Sequence, residues 1–512
     1  MVIFKRLCRT DCLSHFLMPI DMYTDFFLPN LSMEDQHRAE NQQSVLIKAV
    51  SLDSGRNYTF QFEKQTVGLR TTVRHCLKNW VSYVQHHNIE EGSEILFGWD
   101  RSGYLMLKIL GHNRMIWVLR FLEKYVPRRT GTRTRRVELY NSRHFLDSKR
   151  EKIHVFWEDR MLKYIPSWGV FDDSFDPGFL DVLEPHPENP YRVSNMVSIL
   201  KRGPISPYIK WHSGAFASTS ELLSFHSPEY IKELEDADKS GGKMMCIGTY
   251  LNPASWEAAR LAAGTTLTAM KHVLEGKVKI AYALVRPPGH HARRTQADGY
   301  CFLNNAGLAV QLALKSGRAK VAVIDIDAHH GSGMAEFFYH SSQVLTISIH
   351  MNHSSSNGTI DEVGEGDGFG FNMNVPLPHG SGDRGYLYAM KELVVPAVEK
   401  FQPDMIVFAI GQDSSAFDPN GRQCVTMDGY REMGRIIRRM ADSYCKSQVL
   451  MVQEGGYQVT YSAFCLHATL EGVLDLPNQL LPDPIAYYPE EKAYTVTSVD
   501  SMKKYFFHTT PN

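Results

Sequence analysis

From about residue 153 onward the chain alternates short apolar runs with longer stretches of helical periodicity. The runs are Lys279–Val285, Lys320–Ile326, Val344–His350, Asp404–Ile410 and Gln448–Gln453. Around them Ala258–Leu274, Leu303–Lys315, Tyr386–Phe401 and Met427–Tyr444 place apolar residues at helical spacing. Strand and helix in alternation predict an α/β fold with a central parallel sheet covered by helices on both faces. The run Val321-Ala322-Val323-Ile324 is apolar at every position, as a strand buried on both sides must be.

The front of the chain follows a different rhythm. Ser44–Val50, Tyr58–Phe62, Ile95–Trp99 and Tyr104–Leu110 are short alternating runs broken by Asp53-Ser54-Gly55, Glu91-Gly92 and Arg101-Ser102-Gly103, which predicts a small β-rich domain over 41–125. Between them Val73–His87 has helix-like spacing. Residues 1–40 show weak periodicity and are read as a poorly determined leader. Residues 126–152, with Pro127-Arg128-Arg129 and Arg133-Thr134-Arg135-Arg136, form a basic linker before a second domain over 153–512.

Composition sharpens that division. The 512 residues are 43% hydrophobic and 22% charged, with a net charge of −1. Residues 1–152 hold 24 Lys+Arg against 16 Asp+Glu, which leaves 31 against 40 for the rest. A basic front on an acidic body leaves nucleic acid open as a partner for residues 41–136. Eight cysteines, none in a C-x-x-C pair, point to a reducing compartment without a disulfide framework or zinc finger. Charges at Lys5, Arg6, Arg9, Asp11, Asp21 and Asp25 interrupt every apolar patch of the first 30 residues, so neither a signal peptide nor a membrane span is expected there.

The candidate chemistry lies where the apolar runs end. Val321–Ile324 leads into Asp325-Ile326-Asp327-Ala328-His329-His330-Gly331, and extended geometry puts Asp325, Asp327 and His329 on one side. Asp and neutral His are zinc ligands, and three protein ligands with an open position make a catalytic site. Lys279–Val285 leads to Arg286-Pro287-Pro288-Gly289-His290-His291, Asp404–Ile410 to Gly411-Gln412-Asp413, and Gln448–Gln453 to Glu454-Gly455-Gly456-Tyr457. Ligands in open α/β folds bind at the carboxyl ends of strands.

These motifs, with Gly299-Tyr300-Cys301-Phe302-Leu303-Asn304-Asn305, Gly411–Pro419 and the plant-type segments His186–Pro190 and Asp483–Pro489, make residues 153–512 resemble the zinc-dependent histone deacetylase superfamily and its arginase/deacetylase fold, nearer class II. The resemblance implies one Zn²⁺ on Asp327, His329 and Asp413, His291 as general base and acid, and His290 beside it held by Asp325. It further implies Tyr457 as oxyanion donor and Gly299 and Tyr300 along the acyl-lysine channel. Asp325, Asp327, His329, Ser348 and Ile349 resemble a structural K⁺ site.

Three departures stand out. Against the family's pattern, Ser332 stands where relatives have an Asp or Asn that orients the base, His350–Gly358 looks shorter than the corresponding channel loop and lacks its aromatic wall, and Lys163–Gly169 stands where close relatives have an H-D-T-G-type entrance motif. The expected activity is hydrolysis of N-ε-acetyl-lysine in histone or non-histone proteins, in nucleus or cytoplasm and away from membranes. An acetylpolyamine amidohydrolase and a weakly active chromatin-binding protein are the alternatives. Asn79–Phe97 resembles part of a plant B3 DNA-binding domain, with a tryptophan-led helix before a Gly92-Ser93-Glu94-Ile95-Leu96-Phe97 strand.

Overall fold

A computed structural model describes strands within residues 1–110 and most of residues 151–509, apart from 167–180, 182–183, 354–356, 477–478, 486–490 and 492–493. The chain divides into two units, Met1–Arg150 and Glu151–Asn512.

The first unit holds a seven-stranded sheet. Its strands are β1 (Val2–Arg6), β2 (Phe16–Met18), β3 (Val45–Ser51), β4 (Asn57–Val67), β5 (Thr72–Lys78), β6 (Glu94–Trp99) and β7 (Leu105–Leu110), in the order β1-β6-β7-β3-β4-β5-β2. All neighbours are antiparallel except β3 and β7. Ile47, Ala49, Phe60, Phe62, Leu105 and Leu107 are buried in it.

Two features differ from the sequence pattern. Strands β1 and β2 come from residues 1–40, read there as a leader, and are ladder-paired to β6 and β5. The helix-like spacing from Val73 is overridden up to Lys78, because Thr72–Lys78 pairs along β4 and β-branched Thr72 and Val73 suit a ladder. Residues 126–150 and the tryptophan-led stretch 79–84 lie outside the described residues.

The second unit is built on eight parallel strands. In chain order they are β8 (Ile153–Trp157), β9 (Ile209–Ser213), β12 (Ile280–Ala283), β13 (Val321–Asp325), β14 (Val344–Met351), β15 (Asn372–Leu377), β16 (Met405–Ile410) and β17 (Val449–Gln453). A separate antiparallel hairpin joins β10 (Lys243–Cys246) to β11 (Thr249–Leu251). The sheet order is β15-β14-β13-β16-β17-β12-β8-β9.

Every residue of β12, β13, β14, β16 and β17 is buried, as both covered faces of a parallel sheet require. Each buried Val, Ile or Leu contributes roughly 1.5–3 kcal/mol of hydrophobic stabilisation. Helices α1 (Pro190–Arg202), α2 (Ser255–Leu274), α3 (Asn305–Lys315), α4 (Ser332–Phe338), α5 (Met427–Tyr444) and α6 (Tyr461–Val473) surround the sheet. Helix α2 packs on β8, β12 and β17, α3 on β13 and β16, and α5 against α6. The fold is thus the predicted α/β architecture, with a central parallel sheet between helices.

Candidate active site

Four strands that are neighbours in the sheet, β13, β16, β17 and β12, deliver the polar groups. Beyond β13 come Asp327 and His329, beyond β16 Asp413, beyond β17 Tyr457, and beyond β12 His290 and His291. The chain crosses over repeatedly between these strands, so residues 167 positions apart in sequence meet at one sheet edge.

The ligand-type atoms of Asp327, His329 and Asp413 all lie within 4.8 Å of one another. His329 Nδ1 is 3.1 Å from Asp327 Oδ1 and 3.0 Å from Asp413 Oδ2. The carboxylates are buried, whereas the His329 side chain keeps 23% exposure, so the cluster opens on one side only. Backbone donors aim the carboxylates: Gly455 N–H donates to Asp327 Oδ2 and Ala328 N–H to Asp413 Oδ1, each at 2.8 Å. A Cβ on Gly455 would stand 2.4 Å from Asp413 Oδ2 and 2.6 Å from Asp327 Oδ2, so only glycine permits this approach.

Two carboxylates in so dry a place repel, and burial together with Asp327 pushes the Asp413 carboxyl up to about 7. A divalent cation is the group that relieves this repulsion, and two Asp oxygens with one imidazole nitrogen are a donor set that zinc accepts. The residues present therefore fit the metal.

His290 and His291 stand beside the cluster. His290 Nδ1 is 2.8 Å from Asp325 Oδ2, and its ring centre is 3.9 Å from that of His291. Burial disfavours a charged His290, but Asp327 and Asp325 outweigh it and raise the imidazole to about 10. Burial, with the positive charge of His290 and His329, pushes His291 well below its ordinary value and leaves its lone pair free at neutral pH. Both N–H groups of Gly289 and His290 donate to Glu454 Oε2, at 2.6 and 3.0 Å, which ties this pair to the end of β17.

Gly299 and Tyr300 close over His291. Gly299 has φ +50°, and a Cβ there would be 2.2 Å from His291 Cδ2. Tyr300 meets Tyr457 edge-on, with ring centres 5.8 Å apart at 84°, and His186 at 4.7 Å. The Arg192 guanidinium lies 5.2 Å from the Tyr457 ring centre and donates to the carbonyls of Gly456, at 2.8 Å, and of Glu454. Arg192 and Arg286 share the fully buried Glu188.

The supporting positions divide. Asp325 is in contact with His290 as expected. Ser332 begins α4, its N–H donates to the His330 carbonyl at 2.7 Å, and with His330, Arg293 and Glu336 it lines a cavity of about 350 Å³. Its hydroxyl has no hydrogen bond to His291 among the described residues. Asp325 and Ser348 line a cavity of about 10 Å³ walled largely by Val323, Met334, Ala335 and Ile347.

Some contributors carried no expectation in the sequence. His353 stacks on His329 at 5.6 Å and 21°, and gives the loop His350–Gly358 a planar ring beside the cluster. Tyr164, in the altered entrance segment, is buried, and its carbonyl accepts from Arg286 Nη1 at 2.6 Å. Asp418 organises the loop after β16: Oδ2 accepts from Tyr457 and Gln458 N–H at 2.7 and 3.0 Å, Oδ1 from Asn420 and Gly421 N–H at 2.9 and 3.2 Å. Its signal was the turn-forming Asp418-Pro419-Asn420-Gly421, legible as a turn and silent about what the turn holds.

A parallel α/β sheet whose adjacent strand ends converge two Asp, one His, a His pair and a Tyr defines a metal-dependent hydrolase site. Residues 186–473 match the histone deacetylase domain, and the chain belongs to that zinc-dependent family. It is 61% identical to histone deacetylase 8 of Arabidopsis thaliana over 70% of this chain and 98% of that protein. It is 36% identical to a histone deacetylase-like amidohydrolase of Pseudomonas aeruginosa, over 56% of this chain and 76% of the relative. The crystal structure of the HDA15 HD domain superposes with a TM-score of 0.61 at 29% identity, covering 70% of this chain and 95% of that one.

Proposed function

We propose that residues 151–512 hydrolyse the amide of N-ε-acetyl-lysine in histones or other proteins, with one zinc ion on Asp327, His329 and Asp413. The observation that carries this is the convergence of those three donors beside an uncharged imidazole, His291, and a buried tyrosine, Tyr457. Zinc in such a site polarises the amide carbonyl and makes water nucleophilic near neutral pH.

The chain's own residues then divide the work. The narrow approach past Gly299 and Tyr300 admits a methylene stem and presents its terminal amide to the cluster. His291 takes the proton of the attacking water and returns it to the departing amine. His290, held by Asp325, stands next to that transfer as its electrostatic partner. Tyr457 O–H donates to the oxygen on which negative charge develops, a contribution worth about 2.7–4 kcal/mol for one such donor. Arg192, over the Tyr457 ring and bound to the Gly456 carbonyl, and Asp418, which accepts the Tyr457 N–H, restrain the ring and backbone that carry this hydroxyl.

Asp325, Asp327, His329, Ser348 and Ile349, partly through backbone oxygens, are assigned to a structural K⁺ on their resemblance to the family's pattern. The basic stretch Pro127–Arg136 supports contact of residues 41–136 with DNA and a nuclear location. No helix among the described residues is long and apolar enough to cross a membrane.

The test is steady-state release of acetate from an acetyl-lysine peptide by zinc-loaded protein. The reading predicts turnover that disappears in His291→Ala; retention of activity in that variant would overturn the assignment of the base.

A further inference from the structure

Guiding a methylene stem requires an aromatic face, and a phenylalanine would serve; Tyr300 carries a hydroxyl in addition. Asn420 Nδ2 donates to that hydroxyl at 3.3 Å. Asn420 is itself held, since its N–H donates to Asp418 Oδ1 at 2.9 Å. The other oxygen of the same carboxylate accepts from Tyr457 N–H, and Tyr457 meets the Tyr300 ring edge-on. Asp418, Tyr457, Tyr300 and Asn420 thus form a closed circuit of contacts.

Tyr300 needs such restraint. Its φ of +68° lies in the left-handed region, where a tyrosine persists only when its surroundings hold it. Its N–H donates to Thr249 Oγ1 at 2.8 Å, which fixes the backbone, and His186 and Tyr457 flank the ring. Asn420 secures the far end.

We propose that Asn420 is a positioning residue for the acyl-lysine channel, holding the Tyr300 ring against Tyr457 through the Tyr300 hydroxyl. This rests on the deacetylase reading of the same site. Neither Asn420 nor the Tyr300 hydroxyl is assigned a proton in the reaction, so the effect falls on substrate capture. Leucine keeps the branching of asparagine and cannot donate to the Tyr300 hydroxyl.

The experiment is a double-mutant cycle on the zinc-loaded full chain. KM and kcat are measured with an acetyl-lysine peptide, and Kd with a fluorescent version of that peptide by anisotropy. Asn420→Leu and Tyr300→Phe each raise KM and Kd about fivefold, the loss of one ordinary hydrogen bond. The double variant rises no further, because both changes remove the same contact. The KM increase exceeds any fall in kcat. Unchanged KM and Kd in either single variant, or effects that multiply in the double, overturn the proposal. A parent that binds the peptide without releasing acetate refutes the deacetylase reading, while the Kd cycle still decides the role of Asn420. A parent that neither binds nor hydrolyses refutes both.

Discussion

Tyr457 is placed by more contacts than a packed aromatic needs: its N–H is bound by Asp418, its ring lies under Arg192, and its edge meets Tyr300. Such preorganisation matters only if the hydroxyl acts when charge develops. Tyr457→Phe is therefore expected to lower kcat by about 10²–10³ with little change in KM, measured by steady-state acetate release. Asp413→Ala removes one of three donors, and metal analysis should fall well below the roughly one zinc per chain expected of the parent. Asp418→Ala strands four backbone N–H groups. It should lower kcat/KM at least tenfold and cost about 1–3 kcal/mol in urea unfolding. At this scale the sequence disclosed what sits directly at a strand end: Asp327, His329, Asp413 and the His pair. It did not disclose Asp418, Asn420 or His353, because their roles arise from contacts across loops whose packing no local pattern encodes.

The elements matter through where they end. Strands β13, β16, β17 and β12 are neighbours although their order along the chain is β12, β13, β16, β17, so the site exists only once the crossovers are complete. Glu188, in the loop before α1, binds Arg192 on α1 and Arg286 after β12, and Arg192 reaches the carbonyls beyond β17. Removing that carboxylate leaves two guanidiniums buried without a counter-charge. Glu188→Ala should cost about 3–5 kcal/mol, seen as a lowered midpoint in urea unfolding; an unchanged midpoint would show that α1 and the ends of β12 and β17 hold together without it.

Central strands were legible because β-branched apolar runs buried on both faces look alike wherever they occur. Edge strand β15, with Asn372, Asn374 and Pro376, and the opposite edge β9, with Lys210 and His212, gave no such run. Proline belongs at an edge, where its missing N–H costs no ladder bond. The helical spacing from Val73 misled for the converse reason, since pairing with β4 decides the backbone up to Lys78.

On the scale of the molecule, the change from a basic front to an acidic body coincides with the division into Met1–Arg150 and Glu151–Asn512. If the front carries the DNA contact, replacing Arg133, Arg135 and Arg136 with serine weakens binding of the full chain to duplex DNA and flattens its dependence on salt; an unaltered salt slope would remove those arginines from the contact. Catalysis, in contrast, belongs to the second unit. The most direct measurement of that claim compares acetate released from an acetyl-lysine peptide by the zinc-loaded parent, Tyr457→Phe and Asp413→Ala. Turnover by the parent and its loss in both variants are the expected result. A zinc-loaded parent that releases no acetate, or variants that release it as fast as the parent, would contradict it.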